Sequence, residues 1–422
     1  MLQVLSSAWA LLLGMCLLMV GNGMQGTLLG IRGEIEQFST FEMSIVMSCY
    51  FVGFLGGSRM APGMIRRVGH VRVFAALASL ISAVMIIYPT FPTIFVWSLG
   101  RVLIGFCFSA VYVTAESWLN NAATNENRGQ ALSLYMIVQT LGIVLAQALL
   151  LTADPSGFVL FVIPSVLVSL AVTPILLSIS PTPAFDTTKP MSLLQLMRFS
   201  PLGCVGMFLL GGVFSAQFGM ASVYGSEAGL SVAQISIFVA TFFIGSVVLQ
   251  YPIGWVSDRM DRRLLIVITS LIGGAGSVLG MLFGHVFLVL LVSAFVVGGM
   301  SNPLYSLLIA HTNDFLQRED MAAASGGMIF INGLGAILGP IITGWMMGTA
   351  LGPGGFYLFT AVLFFVLAAY GGYRATRRPS VPVEETGNYV PIYASATAVA
   401  VDAAREFAYE ASQDDPDVGA KG

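Results

Sequence analysis

The sequence predicts an all-α membrane protein, with twelve transmembrane helices arranged as two pseudo-symmetric six-helix bundles. Three observations carry that prediction. Twelve apolar blocks of bilayer-crossing length follow one another between Val4 and Tyr373. The connections between them alternate in charge. One long connection, residues 179–200, separates six blocks from six. Composition agrees: 56% of the 422 residues are hydrophobic and only 9% charged, too little charge to coat a water-soluble domain of this length.

The charge alternation fixes the orientation. Sixteen of the 18 Lys and Arg residues lie in, or at the edges of, the connections after the second, fourth, sixth, eighth and tenth blocks, or in the C-terminal tail. The opposite connections hold only Arg32, and Arg101 lies inside a block. Basic residues are retained on the cytoplasmic face, so both termini are expected in the cytoplasm, with the protein in a bacterial inner (plasma) membrane. The net charge of −3 gives no argument for nucleic acid as a partner.

In chain order the expected spans are 4–30, 41–63, 70–88, 93–118, 128–152, 157–178, 201–225, 231–256, 263–283, 286–310, 322–348 and 354–373. Each supplies about the 20 helical residues that a bilayer core of ~30 Å requires. The first block lacks the basic start of a secretory signal and leads into eleven similar blocks, so it reads as a span. Short connections make successive helices antiparallel neighbours. The expected organisation is a bundle over 1–178, a central cytoplasmic loop over 179–200, a second bundle over 201–373, and a mostly disordered cytoplasmic tail over 374–422. Residues 394–411 within that tail have the pattern of a short amphipathic helix. The 47 glycines suit close helix packing in lipid. The four cysteines sit in four different blocks with no paired spacing, so neither a disulfide framework nor a metal site is expected.

The halves repeat loosely at an offset near 195 residues: Asn22 falls opposite Gln217, Ala115-Glu116-Ser117 opposite Ala310-His311-Thr312, and Gln139 near Asn332. Deep polar residues are few and mostly neutral. Asn22, Gln25, Tyr112, Gln139, Gln217, Asn302, Tyr305 and Asn332 are candidates for hydrogen bonding a small polar solute, against the alternative of plain interhelical bonds. Arg101, ~12 Å from the outer end of its helix by the 1.5 Å rise, must face a polar interior; it either binds an anionic group or moves a proton, or is a structural guanidinium bonded to its neighbours. No carboxylate lies near mid-bilayer, which disfavours a proton symporter built on a deep acid.

Charged residues cluster at the basic-face helix ends. Gly254-Trp255-Val256-Ser257-Asp258-Arg259-Met260-Asp261-Arg262-Arg263 joins the eighth and ninth spans. Its first-half counterpart runs from Gly57 to Gly69 and keeps Arg66 and Arg67, but has Ala61 where the acid belongs. A turn with a carboxylate and several guanidiniums can clamp helix ends across the two halves and release them. Glu116, Arg128, His311 and Asp314 complete the expected gating network; topology anchoring is the simpler alternative.

These stretches resemble the major facilitator superfamily. The loop from Gly254 is similar to its Gly-x-x-x-Asp-Arg-x-Gly-Arg-Arg hallmark, with Asp261 at the final Gly, and Arg101-Val102-Leu103-Ile104-Gly105 resembles its fourth-helix motif. Glu116 with Arg128-Gly129 is similar to a pairing found in sugar porters. Ala115 to Asn120, Asn302 to Ser306, His311 to Asp314 and Gly333 to Pro340 look like the bacterial YcaD-like branch, whose substrate is unassigned. The resemblance covers residues 1–378. It implies the major facilitator fold, with a central cavity lined by the first, fourth, fifth, seventh, tenth and eleventh spans and opened to alternate faces as the halves rock. It also implies a secondary transporter for a small-molecule solute, monomeric, with a coupling proton or cation left open. The fifth span lacks the Gly-Pro-x-x-Gly-Gly signature of drug–proton antiporters. No Walker loop, metalloprotease motif or catalytic constellation is present, so no cofactor, metal or enzyme activity is expected. The alternative is a transport-inactive sensor or scaffold signalling through its tail.

Overall fold

The computed structural model describes residues 2–122, 128–177 and 191–377, and in the tail residues 389, 391, 392, 397 and 399–401; the side chains of 2–7, 121, 122, 128, 129, 318, 319 and 322 are not described. Among the described residues, twelve helices have the length and hydropathy of membrane spans. They are Ala8–Ile35, Thr40–Val68, His70–Thr90, Ile94–Asn120, Gln130–Thr152, Val159–Leu177, Pro201–Glu227, Val232–Ser257, Arg262–Phe283, Phe287–Asn313, Ala323–Met347 and Gly354–Ala375. A short helix, Leu193–Phe199, leads into the seventh. Large apolar side chains such as Phe95, Leu177 and Leu288 stand mostly exposed on the outer surface, where only lipid would accept them. The amphipathic helix expected over 394–411 falls largely outside the described residues.

The first span runs five residues past its expected end. Arg32 pairs with Glu36 one turn on, at 2.5 Å, and also donates to the carbonyl of Pro155, so the charge on the extra turn is satisfied. The second span continues through Pro62 to Val68. The seventh departs furthest from a plain helix, passing through a π-helical turn at Ala216–Met220. Such turns insert one residue and re-aim the side chains around them.

The internal repeat is visible in the packing. The pairs first–fifth, second–fourth, third–sixth and third–fourth recur in the other half as seventh–eleventh, eighth–tenth, ninth–twelfth and ninth–tenth. Even the capping boxes match: Ser39 and Glu42 open the second span as Ser231 and Gln234 open the eighth. So do the closest helix crossings. A Cβ on Gly105 would lie 1.9 Å from the Tyr50 carbonyl oxygen, and one on Gly298 would lie 2.2 Å from that of Phe242. These pairs set the true offset at 192–193 residues, so the counterpart of Gln217 is Gln25 rather than Asn22.

The halves meet through the second and eleventh spans on one side and the fifth and eighth on the other, as a pseudo-twofold axis requires. On the face opposite the basic loops they seal tightly. A Cβ on Gly30 of the first span would lie 2.1 Å from the Ser222 hydroxyl of the seventh, and one on Gly344 of the eleventh 2.2 Å from Cβ of Ser44 on the second. The Thr40 hydroxyl donates to Glu227 across the same seam, and the Ser48 hydroxyl donates to the carbonyl of Ile337, within the helical turn that Pro340 disrupts. Pro340 thus sits inside an eleventh helix that continues to Met347.

Candidate functional site: a neutral cavity between the halves

Between the halves lies a cavity of about 150 Å³. Six of the residues expected to face solute line it: Asn22, Tyr112 and Gln139 from the first half, and Gln217, Asn302 and Asn332 from the second. Half of the remaining wall is aromatic, with Tyr50, Phe51, Phe54, Phe214, Phe218, Phe242 and Phe243, and none of the lining residues carries a charge. The second and eighth spans therefore contribute as well as the six expected ones. Their aromatic residues gave no sequence signal, because Phe in an apolar block is indistinguishable from a lipid-facing Phe until helix rotation is known.

Gln25, Arg101 and Tyr305 do not line the cavity; they stand behind it. Arg101 is fully buried, with its guanidinium over the Tyr50 ring at 4.7 Å and its Nη1 donating to Gln25 Oε1 at 2.8 Å. Its Nε and Nη2 have no acceptor among the described residues. Because a guanidinium only donates, it turns the oxygen of Gln25 towards itself, and the Gln25 amide nitrogen then donates to Asn22 Oδ1 at 3.3 Å. Asn22 in turn presents its amide nitrogen to the Tyr112 hydroxyl at 3.0 Å. One buried charge thus orients two carboxamides and the phenol at the cavity wall. Tyr305 packs edge-on to Phe214, and its hydroxyl has no partner among the described residues.

In the second half, Gln217 sits on the π-helical turn and accepts from the Ser301 hydroxyl, while its Nε2 has no acceptor among the described residues. Asn332 donates to the Met207 carbonyl. Asn302 donates to Oε1 of Gln250, one turn deeper towards the basic face; Gln250 was not among the expected site residues.

The charged residues of the eighth-to-ninth loop pair within their own half. Arg262 is buried against Asp314 at the end of the tenth span and lies 3.9 Å from Asp258; Arg263 pairs with Asp261 at 3.0 Å. Arg259 stacks on Trp255 at 4.1 Å. Burial pushes the Asp258 carboxyl above the ordinary range. Burial also raises that of Asp261, but the bonds from Arg263 outweigh it and leave the group below that range. His311 packs edge-on to Phe315, and Arg66 and Arg67 are exposed. Glu116 is buried and accepts from Tyr135 at 3.3 Å, and no cation among the described residues pairs with it. The side chain of Arg128, its expected partner, lies outside the described residues.

A sequence profile described as the Major Facilitator Superfamily matches residues 11–231 and 203–398. The chain is 26% identical over 342 residues to the uncharacterized MFS-type transporter YcaD of Escherichia coli O45:K1 (strain S88 / ExPEC), covering 80% of this chain and 88% of that protein. Its fold is similar to the crystal structure of nucleoside transporter NupG, with a TM-score of 0.73 at 17% identity over 87% of this chain and 99% of that one. It is also similar to a bacterial homolog of the human lysosomal transporter Spinster in an inward-facing, occupied conformation, with a TM-score of 0.70 at 15% identity over 90% and 97% of the two chains. A third likeness is to the E. coli fucose:proton symporter FucP, at 0.56 and 17% over 87% and 98%.

Proposed function

This chain belongs to the Major Facilitator Superfamily of membrane transporters, and from that premise we propose that it moves an uncharged, ring-bearing polar solute across the cytoplasmic membrane by alternating access. The cavity carries this reading: both halves contribute carboxamides to it, aromatic rings form its walls, and none of its lining residues is charged. Amide groups match hydroxyls and carbonyls of a solute, and the free Nε2 of Gln217 is a ready donor. Rings stack on the aromatic walls without asking for charge. A carboxylate or ammonium solute entering this site would have to shed water with no opposite charge to meet it. Nucleosides and neutral sugars are the first classes to test, which the nucleoside and fucose transporters of similar fold also suggest.

Alternation needs a seal that opens and one that forms. The glycine and serine contacts of the first with the seventh span, and of the second with the eleventh, support the closed face seen here. On this reading the loop carboxylates and guanidiniums at the basic face form new pairs when the halves rock the other way. The basic face is cytoplasmic by the distribution of Lys and Arg.

A thermal-shift screen of purified protein against neutral nucleosides, sugars and their charged analogues tests the reading. A ligand at 100 times its Kd adds about 2.7 kcal/mol of stability. A hit should lose its shift in Asn302→Ala. Stabilisation confined to anionic or cationic compounds would overturn the neutral-site assignment.

A further inference from the structure

Of the tail residues that the structure describes, all but Pro391 are buried or partly buried in the molecule. Ile392 is 4% exposed and Val401 fully buried. The backbone N–H of Tyr389 donates to Asp258 at 2.7 Å, and its hydroxyl accepts from Gln250 at 2.9 Å. The Tyr389 ring lies so close to the eighth span that a Cβ on Gly254 would be 2.6 Å from it. Ile392 both donates to and accepts from the Ser306 hydroxyl of the tenth span, at 2.9 and 3.0 Å. Thr397 then reaches the other half, where its backbone N–H donates to Glu116 at 3.0 Å and its hydroxyl bonds the same oxygen.

We propose that the described tail residues, Tyr389, Pro391, Ile392, Thr397 and 399–401, form an intramolecular plug, docked in the cleft between the halves at the basic face, which closes the cavity to that face until it is released. The depth of insertion supports this. Gln250 and Ser306 each lie seven residues inside the basic-face ends of their helices, about 10 Å at the helical rise. Gln250 bonds the cavity-lining Asn302 with its oxygen and Tyr389 with its nitrogen, so a single side chain separates the plug from the solute site.

The bonding also explains two acids of the expected gate. Asp258 and Glu116, on opposite halves, each accept a backbone N–H of the same segment. Held this way, the halves cannot close on each other at this face, because the segment occupies the space that closure needs. The cleft is thus a docking surface for a peptide offering backbone donors to two carboxylates and a tyrosine ring to a glycine. Its occupant is this chain's own tail, held at the high effective concentration of a tether.

The test needs no substrate. In full-length protein with its four native cysteines replaced by alanine and Ser246→Cys placed at the cavity, reconstituted in nanodiscs, the rate of reaction with a water-soluble maleimide reads access. Ile392→Asp keeps the backbone bonds but puts a carboxylate where a buried apolar side chain sits, so it should raise that rate at least about tenfold. A synthetic peptide of residues 386–403 should lower it again. Equal rates with and without Ile392→Asp would overturn the plug. Separately, Ser306→Cys with Ile392→Cys should form a disulfide under diamide in the folded full-length chain. Absence of that cross-link would overturn the docking even if Ile392→Asp failed to fold. Neither result depends on which solute is carried, or on whether any is.

Discussion

Gly344→Ala tests whether the face opposite the basic loops is a working seal. The added Cβ would sit 2.2 Å from Cβ of Ser44, 2.6 Å from its hydroxyl and 3.1 Å from the Thr40 carbonyl oxygen. Ordinary carbon contacts lie at ~3.7 Å, so the second and eleventh helices must part by about 1.5 Å at this point. Ser44 is buried and its hydroxyl donates to the carbonyl of Phe41, so the nearest atom is not the free end of a flexible chain. Overpacking of this kind costs about 1–3 kcal/mol, which shifts the balance between sealed and opened states by about 5- to 150-fold. A cysteine introduced at Ser246 in the cavity, in a chain with its four native cysteines replaced by alanine, reports the shift through its rate of reaction with an impermeant maleimide added from the outer side. Gly372→Ala is the matched control, because a Cβ there meets nothing within 4 Å. Faster labelling in Gly344→Ala but not in Gly372→Ala is the expected result. Equal rates in the two variants would refute the idea that the seam gates access.

Arg101→Ala removes the guanidinium that orients Gln25 and, through it, Asn22 and Tyr112. A hydrogen bond to a charged group contributes about 1.5–3 kcal/mol, so ligand affinity or turnover should fall roughly tenfold or more while the protein still reaches the membrane; unchanged transport would remove the orienting role. Asp258→Asn keeps an acceptor for Tyr389 but loses the charge near Arg262, and half exposure limits the effect to roughly threefold in turnover. Transport assayed beside membrane insertion separates gating from folding: equal loss of both would reject the gating role. Asp261 caps the ninth span by accepting from the N–H of Arg263. Asp261→Ala should cost about 1 kcal/mol in thermal unfolding and Asp261→Asn a few tenths. Because the folded state holds this carboxyl below its unfolded value near ~3.9, its contribution is complete above that value and is lost as pH falls through the lower folded one. Stability of the wild type and of Asp261→Asn should therefore converge on acidification, and a gap that widens would contradict this sign.

Much of the candidate site was legible as a set of residue types. Neutral polar side chains in apolar helices stand out because burying them has a cost, and six of those singled out, five amides and Tyr112, share one cavity. Gln25, Arg101 and Tyr305 stood out for the same reason but lie behind the wall, since polarity marks a residue as interior without saying which interior surface it meets. The aromatic wall carried no mark at all. The π-helical turn at Gln217 was equally silent, because one inserted residue leaves the hydropathy of the span unchanged.

The amino-acid sequence by itself determined that the chain lies in a membrane, crosses it twelve times and is built as two related halves. These are sums along the chain measured against a planar solvent, and they need no knowledge of which helix touches which. Tertiary structure alone decided the rest: the rotation that turns Phe51 and Phe243 inward, the burial of Arg101 behind Tyr50, the seam closed by Gly30 and Gly344, and the seat of Tyr389 against Gly254. Each of those depends on contacts between segments far apart in sequence, whose relative position is settled by packing and not by the hydropathy of either.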